Sequence, residues 1–426
     1  MMKVDIQEID NLTKKVEVIV SDEDTKPIED EIYNELKKQV KVKGFRPGRV
    51  PKNIINAFYK DYIEAELKKR IVESTMGNAL NEVNIKPIGD PIIDFFDDDG
   101  FKGYTIECEV IPHFEPPEYK GIEVEVEPIT VSEDDVKRRM ENIRQLYAQM
   151  EMKSEEEGAE KDDFMIISYQ GFLDGKPLQE VKTDNYPVEL GNSMLMPEFE
   201  SALYGMKIGE DKEITIDFPD DYPDKDICGR RILFKIHVKE IRKKILPELD
   251  DDFAKDMGFE NLEKMRESVE NDLRKEKESA RNKIIYQKII DSLLEKVDIA
   301  VPKRYLEKRV QSMLEEAKQR YEAEGITEDI MKNLEVNLRK DYEQKAEKRI
   351  KTDFLLIKIA EKENIKLDEK DVEERLKRIA EDARRPYNDV KSFYERNELL
   401  ESLKGIILEE KTLNFLKDNA VIKETI

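Results

Sequence analysis

The sequence predicts a multidomain α+β protein: an α+β N-terminal domain, a small β-rich middle domain, and an elongated all-α C-terminal domain with projecting arms. Three observations lead there. Alternating apolar positions give way to helical spacing over the first hundred or so residues. Short apolar runs broken by glycine turns fill 162–241, and a helical period runs from Pro247 to the end. At roughly 100–200 residues per domain, 426 residues suit two to four domains. Charge narrows the choice: 98 acidic residues against 74 basic leave −24, with 40% of the chain charged and 38% hydrophobic. That is too apolar for wholesale disorder and too polar for one large core. Thin packing over charged helices is expected.

The same balance argues against DNA as a partner, because phosphate binding depends on Lys and Arg releasing counterions. Any contact with nucleic acid must come from a local basic patch. Cys108 and Cys228 are the two cysteines, too few for a disulfide framework and suited to a reducing compartment. The start is polar, and no apolar run nears the roughly 18 residues of a transmembrane helix. A cytoplasmic protein with no membrane partner is expected.

Each element follows from local pattern. Lys15–Val20 alternates like a half-buried strand, and Ser21 with Asp24 can cap a helix carrying Ile28, Ile32, Tyr33 and Leu36. Pro51 suits the first turn of a second helix with Ile54, Ile55, Phe58, Tyr62 and Leu67 on its face. Two strands, 92–96 and 104–111, flank the turn signal at 97–100. The prolines at 116 and 117 mark a boundary, so residues 1–113 form the first domain. Residues 114–156 read as linker and helical arm, where Ser132 caps a helix bearing Val136, Met140, Ile143 and Met150; the acidic run 154–160 reads as a linker. Residues 157–243 form the β domain, with its clearest strands at 164–169, 214–218 and 232–238. The last domain, 244–426, starts with a helix from Leu262 through Leu293. Pro302, Thr327 and Asp368 open three more, and Leu399–Leu416 supplies the last.

One segment runs against the chain's charge. Lys37, Lys38, Lys41, Lys43, Arg46, Arg49 and Lys52 place seven cations between Leu36 and Lys52 with no acid among them. Gly44 and Gly48 allow unusual backbone angles, Pro47 and Pro51 stiffen the tip, and Phe45 is a large apolar side chain where a loop should be polar. A rigid cationic tip with an aromatic point suits docking on an anionic, partly proteinaceous surface. Elsewhere, His113 and His237 have no neighbours in sequence that would complete a metal site or a His-based triad, and no phosphate-binding glycine loop occurs.

The run Gly44-Phe45-Arg46-Pro47-Gly48-Arg49-Val50-Pro51, with the order of regions around it, resembles the trigger factor family of bacterial ribosome-associated chaperones. The resemblance spans essentially the whole chain. It implies an N-terminal α+β ribosome-binding domain in which Gly44, Phe45, Arg46, Pro47, Gly48, Arg49 and Lys52 meet the large ribosomal subunit, protein and rRNA, near the tunnel exit. Pro47 stands where the family often has Lys. Residues 162–241 resemble an FKBP-type prolyl isomerase, a β domain with a short helix. The likeness rests on Ile167–Gly171, Asp174-Gly175, Val188–Gly191, Met196–Glu200, Phe218–Tyr222 and Phe234. It implies a pocket of Tyr169, Leu178, Tyr186, Leu195, Met196, Phe199, Tyr222, Ile227 and Phe234, with no metal and no cofactor. Leu178, Gln179 and Glu198 depart from the usual Phe, acidic residue and Gly, so a weaker isomerase is expected.

The implied function is an ATP-independent chaperone that binds nascent and unfolded polypeptides at the tunnel exit and isomerises X–Pro bonds. It would be a monomer on the ribosome; whether the free chain forms a homodimer stays open. Met140, Met150, Met152, Met257, Met265, Met313 and Met331 are flexible side chains suited either to varied apolar clients or to ordinary helix packing. Two rivals remain: a free-standing prolyl isomerase, and a helical assembly factor for one folded partner.

Overall fold

The computed structural model describes the chain except residues 1, 43–44, 47, 99–100, 193–194, 220–226, 325–327 and 426. Gly44, Pro47, Tyr222 and the expected cap Thr327 therefore lie outside the described residues. The chain divides into two compact units, Met1–Glu127 with Asn282–Ile426, and Pro128–Arg281.

The first unit begins with β1 (Lys3–Glu8) and β2 (Thr13–Val20), then α1 (Asp22–Gln39) and α2 (Lys52–Glu82), then β3 (Pro87–Asp98) and β4 (Phe101–Val110). The strands form an antiparallel sheet in the order β1-β2-β4-β3. Val16, Val18 and Val20 alternate onto one face, and with Tyr104, Ile106 and Cys108 they bury against the two helices. On α2 the buried stripe is Ile55, Ile63, Leu67 and Ile71, while Phe58 and Tyr62, expected on the packed face, are exposed. The reason is a break at Tyr59, whose φ of −129° and ψ of 24° leave the helical region and shift the phase of the stripe. The first strand was not foreseen: Val4 and Ile6 alternate with polar neighbours over only a few residues, and its side chains are almost all exposed.

The second unit contains α3 (Glu133–Leu146), β6 (Gln149–Met152), β7 (Phe164–Leu173), β8 (Lys176–Glu189), α4 (Pro197–Leu203), β9 (Asp211–Asp217), β10 (Arg231–Ile245) and α5 (Asp251–Asp256); in chain order β5 (Glu123–Val126) precedes them, in the first unit. Ser132 and Asp135 close a capping box on α3. Met150 is not on that helix: it lies in β6, exposed, because the helix stops at Leu146. Long β10 is the spine of the sheet, pairing with β7 on one edge and with β9 and then β6 on the other. The acidic run 154–160 is tied down. Lys153, its side chain 4% exposed, reaches Asp163 at 2.5 Å and Glu160 at 3.2 Å, and Ala159 enters the core. Burial disfavours the Lys153 charge, but those carboxylates outweigh it and hold its pKa above the ordinary value. Beyond the sheet, α6 (Leu262–Leu294) starts here; its Met265, Val269 and Leu273 pack with Phe253, Val136 and Met140.

The end of α6 belongs to the first unit, with α7 (Lys303–Ala323), α8 (Glu328–Lys362), α9 (Glu369–Asp382), α10 (Tyr387–Arg396), α11 (Leu400–Asp418) and β11 (Val421–Glu424). Asp368 and Asp371 make a second capping box, on α9. The short α5 and α10 and the final β11 were not expected. β11 pairs in parallel with β5, a partner some three hundred residues distant (Lys423 to Glu123), which no local pattern encodes. Beneath it Val124, Val126, Ile289, Leu293, Phe354, Leu355 and Leu416 form one core. Met140, Met265 and Met331 are buried, so among the methionines named above Met150 and Met152 are the ones exposed at 45% and 60%.

Helix α7 opens on Pro302, which offers no side-chain cap. Glu109, at the end of β4 and 7% exposed, fills the gap: its carboxylate accepts from the amides of Arg304 (3.0 Å) and Tyr305 (2.8 Å). The Arg304 guanidinium lies 3.4 Å from Glu107, and Lys308 pairs with Asp90. Gly89, at φ +68°, lets β3 pass so close to the Tyr305 ring that a Cβ would sit 3.2 Å from it.

Two predictions follow from this packing. Glu109→Ala orphans two amides and should cost about 1–3 kcal/mol, whereas Glu109→Gln keeps an acceptor and costs less; denaturation midpoints and hydrogen exchange at the Arg304 and Tyr305 amides read the difference. On α8, burial and the nearby Glu409 charge raise the Asp353 carboxyl to about 6, although Arg349 stands 3.0 Å away. A pKa raised by folding means the folded chain takes up the proton first. Stability should therefore rise as pH falls from about 6 towards the unfolded value near 4, and Asp353→Asn should flatten the thermal midpoint across that window.

Candidate functional site

The cationic loop joins two helices whose bases are braced. Tyr33 donates to Asn56 Oδ1 at 3.1 Å, and Arg70 on α2 grips Glu35 on α1 at 2.6 Å and 3.2 Å. Val40 and Val50, 6% and 1% exposed, anchor both ends of the loop in the core. Between them the chain turns out: Gly48 N donates to Lys37 O at 3.0 Å, Arg49 N donates to Arg46 O at 2.9 Å, and Gly48 sits at φ +81°. Phe45 is 40% exposed at the tip, and Arg46 and Arg49 are exposed beside it. Among the described residues neither arginine has an ion-pair partner. Lys52 differs, since it pairs with Asp30 and lies 5.0 Å from the Tyr33 ring centre. That charge is already engaged within the domain. Phe58 and Tyr62 add exposed aromatic surface on α2.

The second constellation lies on the inner face of the β7–β10 pair. Tyr169 on β7 is its hub, with ring centres 5.6 Å from Tyr186, 5.6 Å from Phe199 and 5.9 Å from Phe234, all near edge-to-face. Phe199 and Phe234 meet at 5.4 Å. Leu178, Leu195 and Met196 are half-buried against the same cluster, and Ile227 is buried within it. Eight of the nine residues expected for the pocket are thus brought together, and Tyr222 lies outside the described residues. Gly171, opposite Phe234 in the ladder, is required by packing: a Cβ there would fall 2.7 Å from Val181 Cγ1.

Two residues inside the sequence motifs join the cluster without having been named for the pocket. Phe218, 8% exposed, lies 6.2 Å from Phe234; its alternation with Ile214 and Ile216 was the available signal. Gln170 donates to Leu178 O at 2.7 Å, holding the start of β8 in place, and no local pattern announces a bond across a turn. Gln179 and Glu198, two of the three departures from the isomerase pattern, are exposed. Glu198 stands in the first turn of α4, where a negative charge favours the helix, so neither residue fills space in the cluster.

Comparison with known proteins matches three family models. Residues 2–143 match one described as bacterial trigger factor protein, residues 155–239 an FKBP-type peptidyl-prolyl cis-trans isomerase, and residues 261–418 the bacterial trigger factor C-terminus. The trigger factor of Geobacter sulfurreducens is 32% identical, covering 98% of this chain and 98% of its own. That of Desulfotalea psychrophila is 33% identical over 99% and 96%, and that of Desulfatibacillum aliphaticivorans 30% over 99% and 98%. The chain belongs to the trigger factor family.

In this trigger factor the middle segment is an FKBP-type isomerase domain, and its geometry suits that chemistry. A prolyl bond turns over a barrier of about 18–20 kcal/mol because the amide loses conjugation. No nucleophile is needed. A water-poor aromatic wall favours the twisted amide, which is less polar than the planar one, and such rings can hold a pyrrolidine. Removing Phe199 or Phe234 would damage the fold by about 3–5 kcal/mol, which confuses any test of activity. Tyr186 is half-buried at the edge of the cluster. Tyr186→Ala should lower kcat/KM on a prolyl peptide about tenfold or more while the domain stays folded, as near-UV circular dichroism beside the peptide assay would show.

Proposed function

We propose that this trigger factor docks on the large ribosomal subunit beside the tunnel exit through the loop Gly44–Lys52, touching both protein and rRNA. Phe45, Arg46 and Pro47 make the contact, with Arg49 and Lys52 in support and the glycines Gly44 and Gly48 shaping the loop. The carrying observation is the pairing of exposed Phe45 with two exposed arginines that have no ion-pair partner among the described residues, on a loop anchored by Val40 and Val50, in a chain of charge −24. A self-neutralised loop would have spent those charges internally. Nascent and unfolded polypeptides are the clients, and the aromatic cluster, completed by Tyr222, is the site of X–Pro isomerisation. The division of labour follows 1–113 for docking, 114–156 as linker and arm, 157–243 for isomerisation and 244–426 for sheltering clients. The chain acts in the cytoplasm, as a monomer when on the ribosome. Among the described residues no helix is long and apolar enough to cross a membrane.

Co-sedimentation with ribosomes tests the docking site. Replacing Phe45, Arg46 and Pro47 together by alanine should remove the protein from the ribosomal pellet and leave peptide isomerisation unchanged. Lys52→Ala alone should weaken binding less, because Asp30 and Tyr33 already hold that side chain. Undiminished pelleting of the triple variant would reject the assignment.

A further inference from the structure

One wall of the pocket is tied back to the sheet by an acidic side chain. Leu195 and Met196 stand between Gly191, just past the end of β8, and Pro197, which opens α4. Helix α4 is only seven residues long, and its N-cap residue Met196 gives no side-chain cap. Its far end is secured by the main chain, where Gly205 N donates to Ala159 O and Ala159 N to Met206 O, both at 2.8 Å. Leu190 is held likewise, through Asp163 O at 3.0 Å and Asp162 N at 2.8 Å. Among the described residues one side-chain link joins Gly191 to α4. Glu200 Oε1 accepts from the Gly191 amide at 2.6 Å and from the Tyr204 hydroxyl at 3.1 Å. Glu200 is half-buried, and it adjoins Phe199, the ring that meets both Tyr169 and Phe234.

We propose that Glu200 is a positioning residue for prolyl isomerisation: it ties the backbone at Gly191 to α4 and so sets the spacing between the Leu195–Met196 wall and the aromatic cluster. Glu200 touches no reacting atom. Its bond to the amide is charge-assisted and short, of the kind that fixes geometry as well as adding energy. Gly191 lies at φ +93°, a conformation open to glycine, so the turn that presents the amide needs this residue. Tyr204 supplies the second donor from the next turn of chain. The proposal rests on reading the aromatic cluster as the isomerase site.

The test uses the full chain with Glu200→Ala, Glu200→Gln and Tyr204→Phe, a prolyl tetrapeptide as substrate, and hydrogen exchange at Gly191. Glu200→Ala should lower kcat/KM by roughly tenfold to a hundredfold, mostly through KM, since the displaced wall holds the proline ring in ground and transition states alike. Exchange at Gly191 should quicken in the same variant. Glu200→Gln offers the same acceptor oxygen and should restore activity and protection to near the parent values. Tyr204→Phe should change kcat/KM less than threefold, as the Gly191 bond remains. Full activity in Glu200→Ala alongside quickened exchange would overturn the proposal, as would a Glu200→Gln variant as impaired as the alanine. If Tyr186→Ala is silent as well, the fault lies in the site reading; if Tyr186→Ala is impaired and Glu200→Ala is not, only the tether falls.

Discussion

A carboxylate satisfying two amides 195 and 196 residues away is the contact on which much of the larger unit turns. Proline is a good first residue for a helix but a poor cap, so α7 begins with donors that its own sequence cannot fill. Glu109 fills them from the end of β4. Its buried charge is met by the Arg304 guanidinium, 3.7 Å away, which also lies 3.4 Å from Glu107. The N-terminal sheet is therefore joined to the helical body by a polar plug as well as by apolar contact. Gly89 and Tyr305 fit beside it because the glycine leaves room for the ring.

Scarcity of apolar residues explains the rest of the architecture. With 38% hydrophobic residues the chain does not fill one large core, and it builds six separate clusters instead. Their buried residues come from two elements in the smallest cluster to five in the isomerase domain. The helices between them are clothed in ion pairs at i,i+3 and i,i+4, each worth at most about 1 kcal/mol at the surface. Their value lies in solubility and helix propensity more than in net stability. A protein that must present apolar patches to unfolded chains benefits from such a surface, because its own patches stay small and isolated.

The two functional regions are built on opposite principles. The proposed docking loop relies on groups left open: Phe45 is exposed, and Arg46 and Arg49 have no carboxylate partner among the described residues. Its precision comes from the anchors Val40 and Val50 and from the braced helices behind it. The isomerase cluster depends on satisfaction. Its rings pack on one another, Gln170 and Glu200 bind backbone groups, and the wall faces a substrate that needs only shape and low polarity.

The order of elements, the caps at Ser132 and Asp368, the valine face of β2 and the family's loop signature were legible in sequence, because each arises from neighbours within a few positions. So was the gathering into one cluster of eight of the nine residues that the resemblance names for the pocket. The phase of the α2 stripe was not, since the break at Tyr59 is decided by how two halves of a helix meet one sheet. Nor was the fate of the methionines: the same side chain is core at Met265 and surface at Met152, according to what lies opposite. Strands β1, β6 and β11 were missed because each is short and almost wholly exposed, so the brief alternation in β1 and β6 buries nothing; β1 forms as a hairpin with β2, and β6 and β11 form by pairing with distant partners. Local chemistry thus set which segments are helix, strand or hook. Only the folded chain chose which distant groups would meet, as with Glu109 and α7, because burial and pairing energies depend on contacts that no stretch of sequence contains by itself.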